Sequence, residues 1–204
     1  MEFYDVMAKR RTVREFKKDP VPWEFVERAL EAGLTAPCNA HLKSWQFILL
    51  RDREKRLRAV AGGLKARDMK DPEEIERLVA RFADEELKSV YRKSLPLQLT
   101  MMLEAPEVLI VCYKMKPLVE CRTLFELNSL ASVWMCIENV MLALAAEGLF
   151  GCTYTPYDAE GLKEALDVPS EYHVAAVIPF GYAKHEPEVR KPENLDERLH
   201  IDKW

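Results

Sequence analysis

Glycine is scarce: the chain has seven in 204 residues. No G-x-G-x-x-G run, no Walker loop, no H-E-x-x-H and no G-x-S-x-G occurs. A phosphate held by this chain must therefore be held by side chains, not by a glycine-rich backbone cradle. Four histidines (His41, His173, His185, His200) are scattered, and none pairs at metal-ligand spacing, so no metal site is expected. Five cysteines (Cys38, Cys112, Cys121, Cys136, Cys152) include no C-x-x-C pair, and most lie in apolar runs. That pattern predicts a reduced, cytoplasmic protein with buried thiols rather than a disulfide framework. The charged start (Glu2, Asp5, Lys9, Arg10) has no apolar core of a signal peptide. The net charge of −4 argues against a nucleic-acid partner. Residues 130–150 are apolar, but Glu138-Asn139 and Glu147 interrupt them short of the roughly 20 residues needed to span, so no membrane partner is expected either. No internal repeat or low-complexity segment is visible.

Against these absences stands one dense motif, Arg10-Arg11-Thr12-Val13-Arg14-Glu15-Phe16. Guanidinium carries a permanent charge and a planar fork of donors that matches phosphate oxygens in pairs. In an extended chain Arg10, Thr12 and Arg14 share one side, with Arg11, Val13 and Glu15 on the other. One edge would then hold a phosphate and a second electron-rich group together. A solvated basic turn, with Arg14 paired to Glu15 or another carboxylate, is the plain alternative. Arg190 and Lys191, far away in sequence, are natural auxiliaries to the cluster.

The length suits one domain over residues 1–204 with a core of its own. The patterning predicts a helix over 2–9, a polar turn at 17–20, and a helix from Pro22 at its first position to Ala32, ended by Gly33. A loop follows at 36–41, then a strand over 45–50 and a short helix capped by Asp52. Residues 62–104 form a charged helical excursion. Within it one helix opens at Asp71-Pro72, carries Ile75, Leu78, Val79 and Phe82 on a stripe, and continues through Leu87, Val90 and Tyr91. It reads as a solvated face, or as a lid. Strands are expected over 107–113, over 152–155 in a short piece, and over 172–180. Between the first two runs a long helix, apolar on nearly all sides (Leu127, Leu130, Val133, Trp134, Ile137, Val140, Met141, Leu144), which suits a large core or a subunit interface. Asp158 caps a helix through Leu166, and 184–204 form an extended tail anchored by Leu199, Ile201 and Trp204. Long helices with few, dispersed strands make the class α+β or mixed α/β.

Taken together, four segments resemble the nitroreductase family of FMN-dependent, NAD(P)H-using flavoproteins. Arg10-Arg11-Thr12-Val13-Arg14-Glu15-Phe16 is similar to that family's R-R-S-x-R opening. Ala36-Pro37-Cys38-x-x-His41-x-Lys43-x-Trp45 is similar to its A-P-S-x-x-N-x-Q-P-W loop, with Cys38, His41, Lys43 and Ser44 as departures. The stretch 138–149 resembles its long interface helix and the turn after it. Ile178-Pro179-Phe180-Gly181-Tyr182, with Arg190-Lys191-Pro192, resembles its last strand and close. Residues 62–104 match least.

The resemblance implies an α+β nitroreductase-like fold: a central mixed, mostly antiparallel sheet flanked by helices, in an intertwined homodimer with two shared FMN sites. It implies that Arg10, Arg11 and Thr12 hold the FMN phosphate and ribityl end, and that Arg14 sits near the pyrimidine edge. Pro37, Cys38, Asn39 and His41 would come from the partner subunit. Tyr154 and Thr155 would offer backbone hydrogen bonds near N5, and Arg190, with Lys191, would return to the phosphate. The flavin would carry the chemistry, so no catalytic side chain is expected. NADH or NADPH would reduce it, and a nitroaromatic or quinone would take its place in a ping-pong scheme. Two alternatives stand beside this reading: a relative with other flavin chemistry (reductive dehalogenation or flavin breakdown), and a non-catalytic flavin-binding dimer.

Overall fold

The computed structural model describes residues 2–64, 71–80, 82–156, 158–189 and 192–204. Four antiparallel strands form one sheet in the order β1-β2-β4-β3: β1 (Trp45–Leu50), β2 (Glu107–Lys114), β3 (Phe150–Gly151) and β4 (Tyr172–Gly181). The register is continuous from Trp45↔Tyr113 to Leu50↔Val108, and from Glu107↔Phe180 to Lys114↔Tyr172 with one irregularity at Val111/Cys112. The helices are α1 (Phe3–Lys9), α2 (Trp23–Leu34), α3 (Arg53–Leu64), α4 (Pro72–Val79), α5 (Glu85–Glu104), α6 (Asn128–Ala146) and α7 (Ala159–Ala165).

Strand β2 is buried on both faces, and its side chains alternate between two apolar clusters. Leu109, Val111 and Tyr113 join Val26, Ala29, Val133 and Ile137 of α2 and α6. Val108, Ile110 and Cys112 join Val60, Leu95, Met102 and Leu162 of α3, α5 and α7. The result is a helix–sheet–helix sandwich of the α+β class.

Helix α6 is the centre of the first layer, and Ser132, Val133, Cys136, Ile137, Val140, Met141, Leu144 and Ala145 are buried on it. It ends as a Schellman turn: Leu149 N–H donates to Leu144 O (2.9 Å) and Gly148 N–H to Ala145 O (3.1 Å). Gly148 supplies the left-handed residue (φ 75°) that this turn requires. By length and composition the segment Leu124–Ala146 is long and apolar enough to cross a membrane (mean hydropathy 1.6), so its two acidic residues, Glu126 and Glu138, do not exclude it as the sequence argument held. Burial of one face against α2 and the sheet accounts for part of the apolar composition, and Trp134 and Met135 on the other side stay exposed.

Three expectations shift. Gly33 does not end its helix; it lies in the last turn of α2, where a Cβ would stand 2.7 Å from Val140 Cγ2 and 3.1 Å from Cys136 Sγ. It is there for close packing on α6, and Pro22 is the N-cap rather than the first helical residue. The helix expected to run on from Asp71-Pro72 is two. Asp71 caps α4 through Glu73 N–H and Asp84 caps α5 through Glu86 N–H, and that second cap restarts the helix. Phe82, between them, stacks on Tyr91. The short strand sits at 150–151, not 152–155. Cys152 N–H donates to Pro179 O (3.2 Å), but proline has no N–H to return, so pairing resumes only as a single bridge between Tyr154 and Val177. The caps at Asp52 and Asp158 form as expected.

The thiols are free, with Cys112, Cys136 and Cys152 buried. Burial pushes Cys136 up to about 12 and Cys112 up to about 11. Arg56 is buried where α5 meets β2 and donates to Leu50 O (2.7 Å), Pro106 O (3.0 Å) and Ala105 O. It fixes the end of α5 against β1, and desolvation lowers its pKa.

The close fit at Gly33 is measurable. Gly33→Ala is expected to destabilise the chain by about 1–3 kcal/mol in urea titration, through overpacking on Val140 and Cys136. Gly148→Ala, open in space but left-handed, is expected to cost about 1 kcal/mol by backbone strain alone.

Candidate functional site

The arginine run begins where α1 ends. Arg10 N–H closes that helix on Val6 O (2.8 Å), and the chain then extends along the free edge of the sheet. Thr12 pairs in parallel with Gly151, and Val13 N–H donates to Gly151 O (3.1 Å). Phe16 pairs antiparallel with Ala183, Lys17 N–H donates to Tyr182 O (2.9 Å), and Lys184 N–H donates to Glu15 O (3.0 Å). Residues 12–17 therefore extend the sheet beyond β3. Close approach of Gly151 to β4 helps here: a Cβ on it would meet Pro179 O at 3.0 Å and Phe180 Cβ at 3.1 Å.

The side chains do not form the single row that simple alternation predicts. Arg10 is the C-cap of α1, and its Nε pairs with Glu138 Oε1 of α6 at 3.2 Å. Arg14 instead lies against Cys152. Its hydrogen bond and charge pull the Cys152 pKa down, although burial, the larger influence, pushes it up. The two guanidiniums are thus anchored on different elements. Glu15 does not pair with Arg14; it takes Lys184 (3.6 Å) and His185 (3.8 Å).

Arg14 opens onto a cleft of about 940 Å³ between residues 14–18 and the last turns of α5. Phe16, Leu97 and Met101 give it apolar walls, and Gln98 lies beside them. The Gln98 Oε1 atom is buried and has no hydrogen-bond partner among the described residues. An orphaned buried acceptor costs about 1–3 kcal/mol, so a ligand donor is the natural complement. Gln98 was not legible as a site residue in the sequence. The one signal was a polar side chain between Leu97 and Leu99, just before a central strand. Glu138 stood out only as an interruption of an apolar helix, yet it holds Arg10.

Tyr154 and Thr155 follow directly on the edge that receives Thr12, so they share a neighbourhood with the arginine run. Pro37, Cys38, Asn39 and His41 do not. Their loop is tied to the first half of α6, where Asn39 N–H donates to Ser132 Oγ (3.1 Å). Among the described residues no hydrogen bond or ion pair joins it to residues 10–14 or 152–155. Arg190 and Lys191 lie outside the described residues.

The nitroreductase family model matches residues 7–182, which takes in the arginine run, the loop, α6 and β4. The chain belongs to the nitroreductase family. Among curated relatives, iodotyrosine deiodinase of Thermotoga neapolitana is 28% identical over 192 residues, covering 94% of this chain and 93% of that protein. A putative NADH dehydrogenase/NAD(P)H nitroreductase of Methanothermobacter thermautotrophicus is 23% identical over 214 residues, covering 100% and 88%. Among solved structures, oxidised iodotyrosine deiodinase bound to FMN and 3-iodo-L-tyrosine shares the fold, with a TM-score of 0.76 at 22% identity over 100% of both chains.

As a nitroreductase-family chain it departs from the usual loop, and the geometry explains one departure. Lys43 Nζ donates to Leu34 O at 2.6 Å, capping the last turn of α2 where the helix dipole favours a cation. Its backbone N–H donates to Cys38 Sγ (3.3 Å). Three non-glycine residues here, Ala40 (φ 51°), His41 (φ 56°) and Lys43 (φ 40°), are left-handed. Such backbone costs about 1 kcal/mol or more per residue and persists because its surroundings enforce it. Ala40→Gly is expected to relieve part of it and raise stability by about 1 kcal/mol. Lys43→Met is expected to lower it by about 1 kcal/mol, both read from chemical denaturation midpoints.

Proposed function

We propose that this chain is an FMN-dependent oxidoreductase that moves reducing equivalents from NADH or NADPH to an electron-poor organic acceptor. The observation that carries this is the pairing, in one cleft, of a guanidinium with no carboxylate partner among the described residues (Arg14) and a buried amide oxygen with no donor among them (Gln98). A flavin's pyrimidine edge alternates carbonyl acceptors with one N3–H donor. Arg14 suits the carbonyl and Gln98 Oε1 suits the N–H, so the donor set fits this group. Phe16 and Met101 offer an apolar surface beside it.

Arg10, Arg11 and Thr12 would hold the phosphate end, with Arg190 and Lys191 as further cations. The Glu138 carboxylate keeps Arg10 oriented. Tyr154 and Thr155 would present backbone groups along the ring. When bound, FMN supplies two-electron hydride chemistry, which no side chain here provides. With the ring so held, the fixed charge of Arg14 would lie where added electrons accumulate, and so would favour reduction.

Pro37, Cys38, Asn39 and His41 enter this reading from a second copy of the chain. A homodimer is supported by the apolar surface around α6: Leu124, Phe125, Trp134 and Met135 are exposed, and Trp204 in the tail is 99% exposed. Free thiols and the absence of a disulfide among the described residues suit a cytoplasmic location. For the acceptor, the family as a whole favours a nitroaromatic or quinone. The near full-length similarity to iodotyrosine deiodinase gives a second reading, reductive dehalogenation of an aromatic.

The absorbance spectrum of the purified protein tests this. About one FMN per chain is expected, bleached anaerobically by NADPH or NADH and recovered on adding an acceptor. A nitroaromatic and 3-iodo-L-tyrosine separate the two readings by which of them restores the oxidised spectrum. Gln98→Leu is expected to weaken FMN about tenfold, roughly 1.4 kcal/mol for one buried hydrogen bond. Absence of flavin after reconstitution would sink the reading, and flavin that no nicotinamide reduces would make the protein a binding dimer or a flavoenzyme with another electron donor.

A further inference from the structure

The cleft beside Arg14 and Gln98 continues past them along residues 15–18 and the outer turns of α5. Lys17 and Lys18 line this outer part, and Lys17 is held there by its backbone bond to Tyr182 O. Neither lysine has a carboxylate partner among the described residues. The nearest acid in sequence, Glu15, is already engaged by Lys184 and His185. That leaves Glu104 as the remaining carboxylate on the cleft wall. Facing the lysines, α5 presents Leu97, 70% exposed and apolar. The chain as a whole is acidic, at −4, so this positive wall is a local feature and not a spill-over of general charge.

Lys17 and Lys18 are both exposed and both line the cleft, so an anion entering it meets positive charge from each. Cations on one side and the apolar Leu97 and Met101, among polar residues, on the other suit an anionic group carried on a flat apolar body. Arg14 and Gln98 are accounted for by the flavin edge, so the outer cleft is left for the molecule that reacts with it.

We infer that Lys17 and Lys18 form an anion subsite that selects reactants bearing a carboxylate or phosphate next to the reacting ring. The inference rests on the flavoenzyme reading for what enters, and the shared chemistry has two sources. One is the carboxylate of an aromatic acceptor; the other is the 2′-phosphate that distinguishes NADPH from NADH. Both draw on the same charge pairing, which ammonium provides as a point charge.

The test uses the full-length holoprotein and the double variant K17Q/K18Q. In one arm kcat/KM is compared for 4-nitrobenzoate and 4-nitrobenzyl alcohol at saturating donor. In the other it is compared for NADPH and NADH at saturating acceptor. The wild type is expected to favour the charged member at least tenfold in one arm, which identifies the source. The double variant is expected to lose that preference while retaining its FMN and its rate with the neutral member. Equal turnover of charged and neutral members in both arms, or a preference that survives the double substitution, overturns the subsite. If the protein holds no flavin, the flavoenzyme reading fails, and calorimetric titration with benzoate and with inorganic phosphate still decides the subsite. Binding to the wild type that K17Q/K18Q abolishes supports it, and no binding to the wild type overturns it.

Discussion

Everything proposed for this chain depends on the docking of residues 12–17 along the edge of the sheet. Backbone bonds with Gly151, Tyr182 and Lys184 turn a run of five cationic residues in nine, which would otherwise be a mobile basic turn, into an extra strand with a fixed direction. The pairing is cheap in sequence terms, because backbone groups make it. It leaves the arginine side chains to face outward, Arg10 toward α6 and Arg14 toward Cys152 and the cleft. A single edge thereby presents positive charge to two places at once: one suited to a phosphate, the other to the polar edge of a ring.

The second constraint is α6. A helix that buries Val133, Ile137, Val140 and Leu144 against α2 and the sheet, yet exposes Trp134 and Met135, has more apolar surface than one chain covers. It also collects both halves of the proposed site, Glu138 holding Arg10 and Ser132 holding the loop at Asn39. Within one chain these two anchors stay apart, so the helix separates the two halves that a second copy would reunite. The strained loop residues at 40, 41 and 43 fit that picture, as rigid backbone is what a shared site requires from a distant element.

Much of this was legible in the sequence. The helix caps at Asp52, Asp71 and Asp158 and the strands expected at 45–50, 107–113 and 172–180, which end one residue later in the last two cases, follow from local chemistry and periodicity. The family followed from four short motifs in order. What was not legible depended on partners distant in sequence. Gly33 reads as a helix stop until Val140 and Cys136 are seen against it. Pro179 interrupts a ladder from the opposite strand. Gln98 lies in the least matched region and looks like one more polar residue on a charged helix. Only the three-dimensional cleft shows that its oxygen is buried and has no partner among the described residues. Lys43 reads as added charge near a flavin, whereas the fold gives it a helix carbonyl to cap.

The central claim is that Arg14 and Gln98 face the pyrimidine edge of FMN, and its most direct measurement is the N3–H proton of ¹⁵N-labelled FMN bound to the protein. A resonance protected from solvent exchange in the wild type, and exchanging freely in Gln98→Leu with flavin still bound, is the predicted result. An N3–H that exchanges freely in the wild type, or stays protected after the substitution, would contradict the placement.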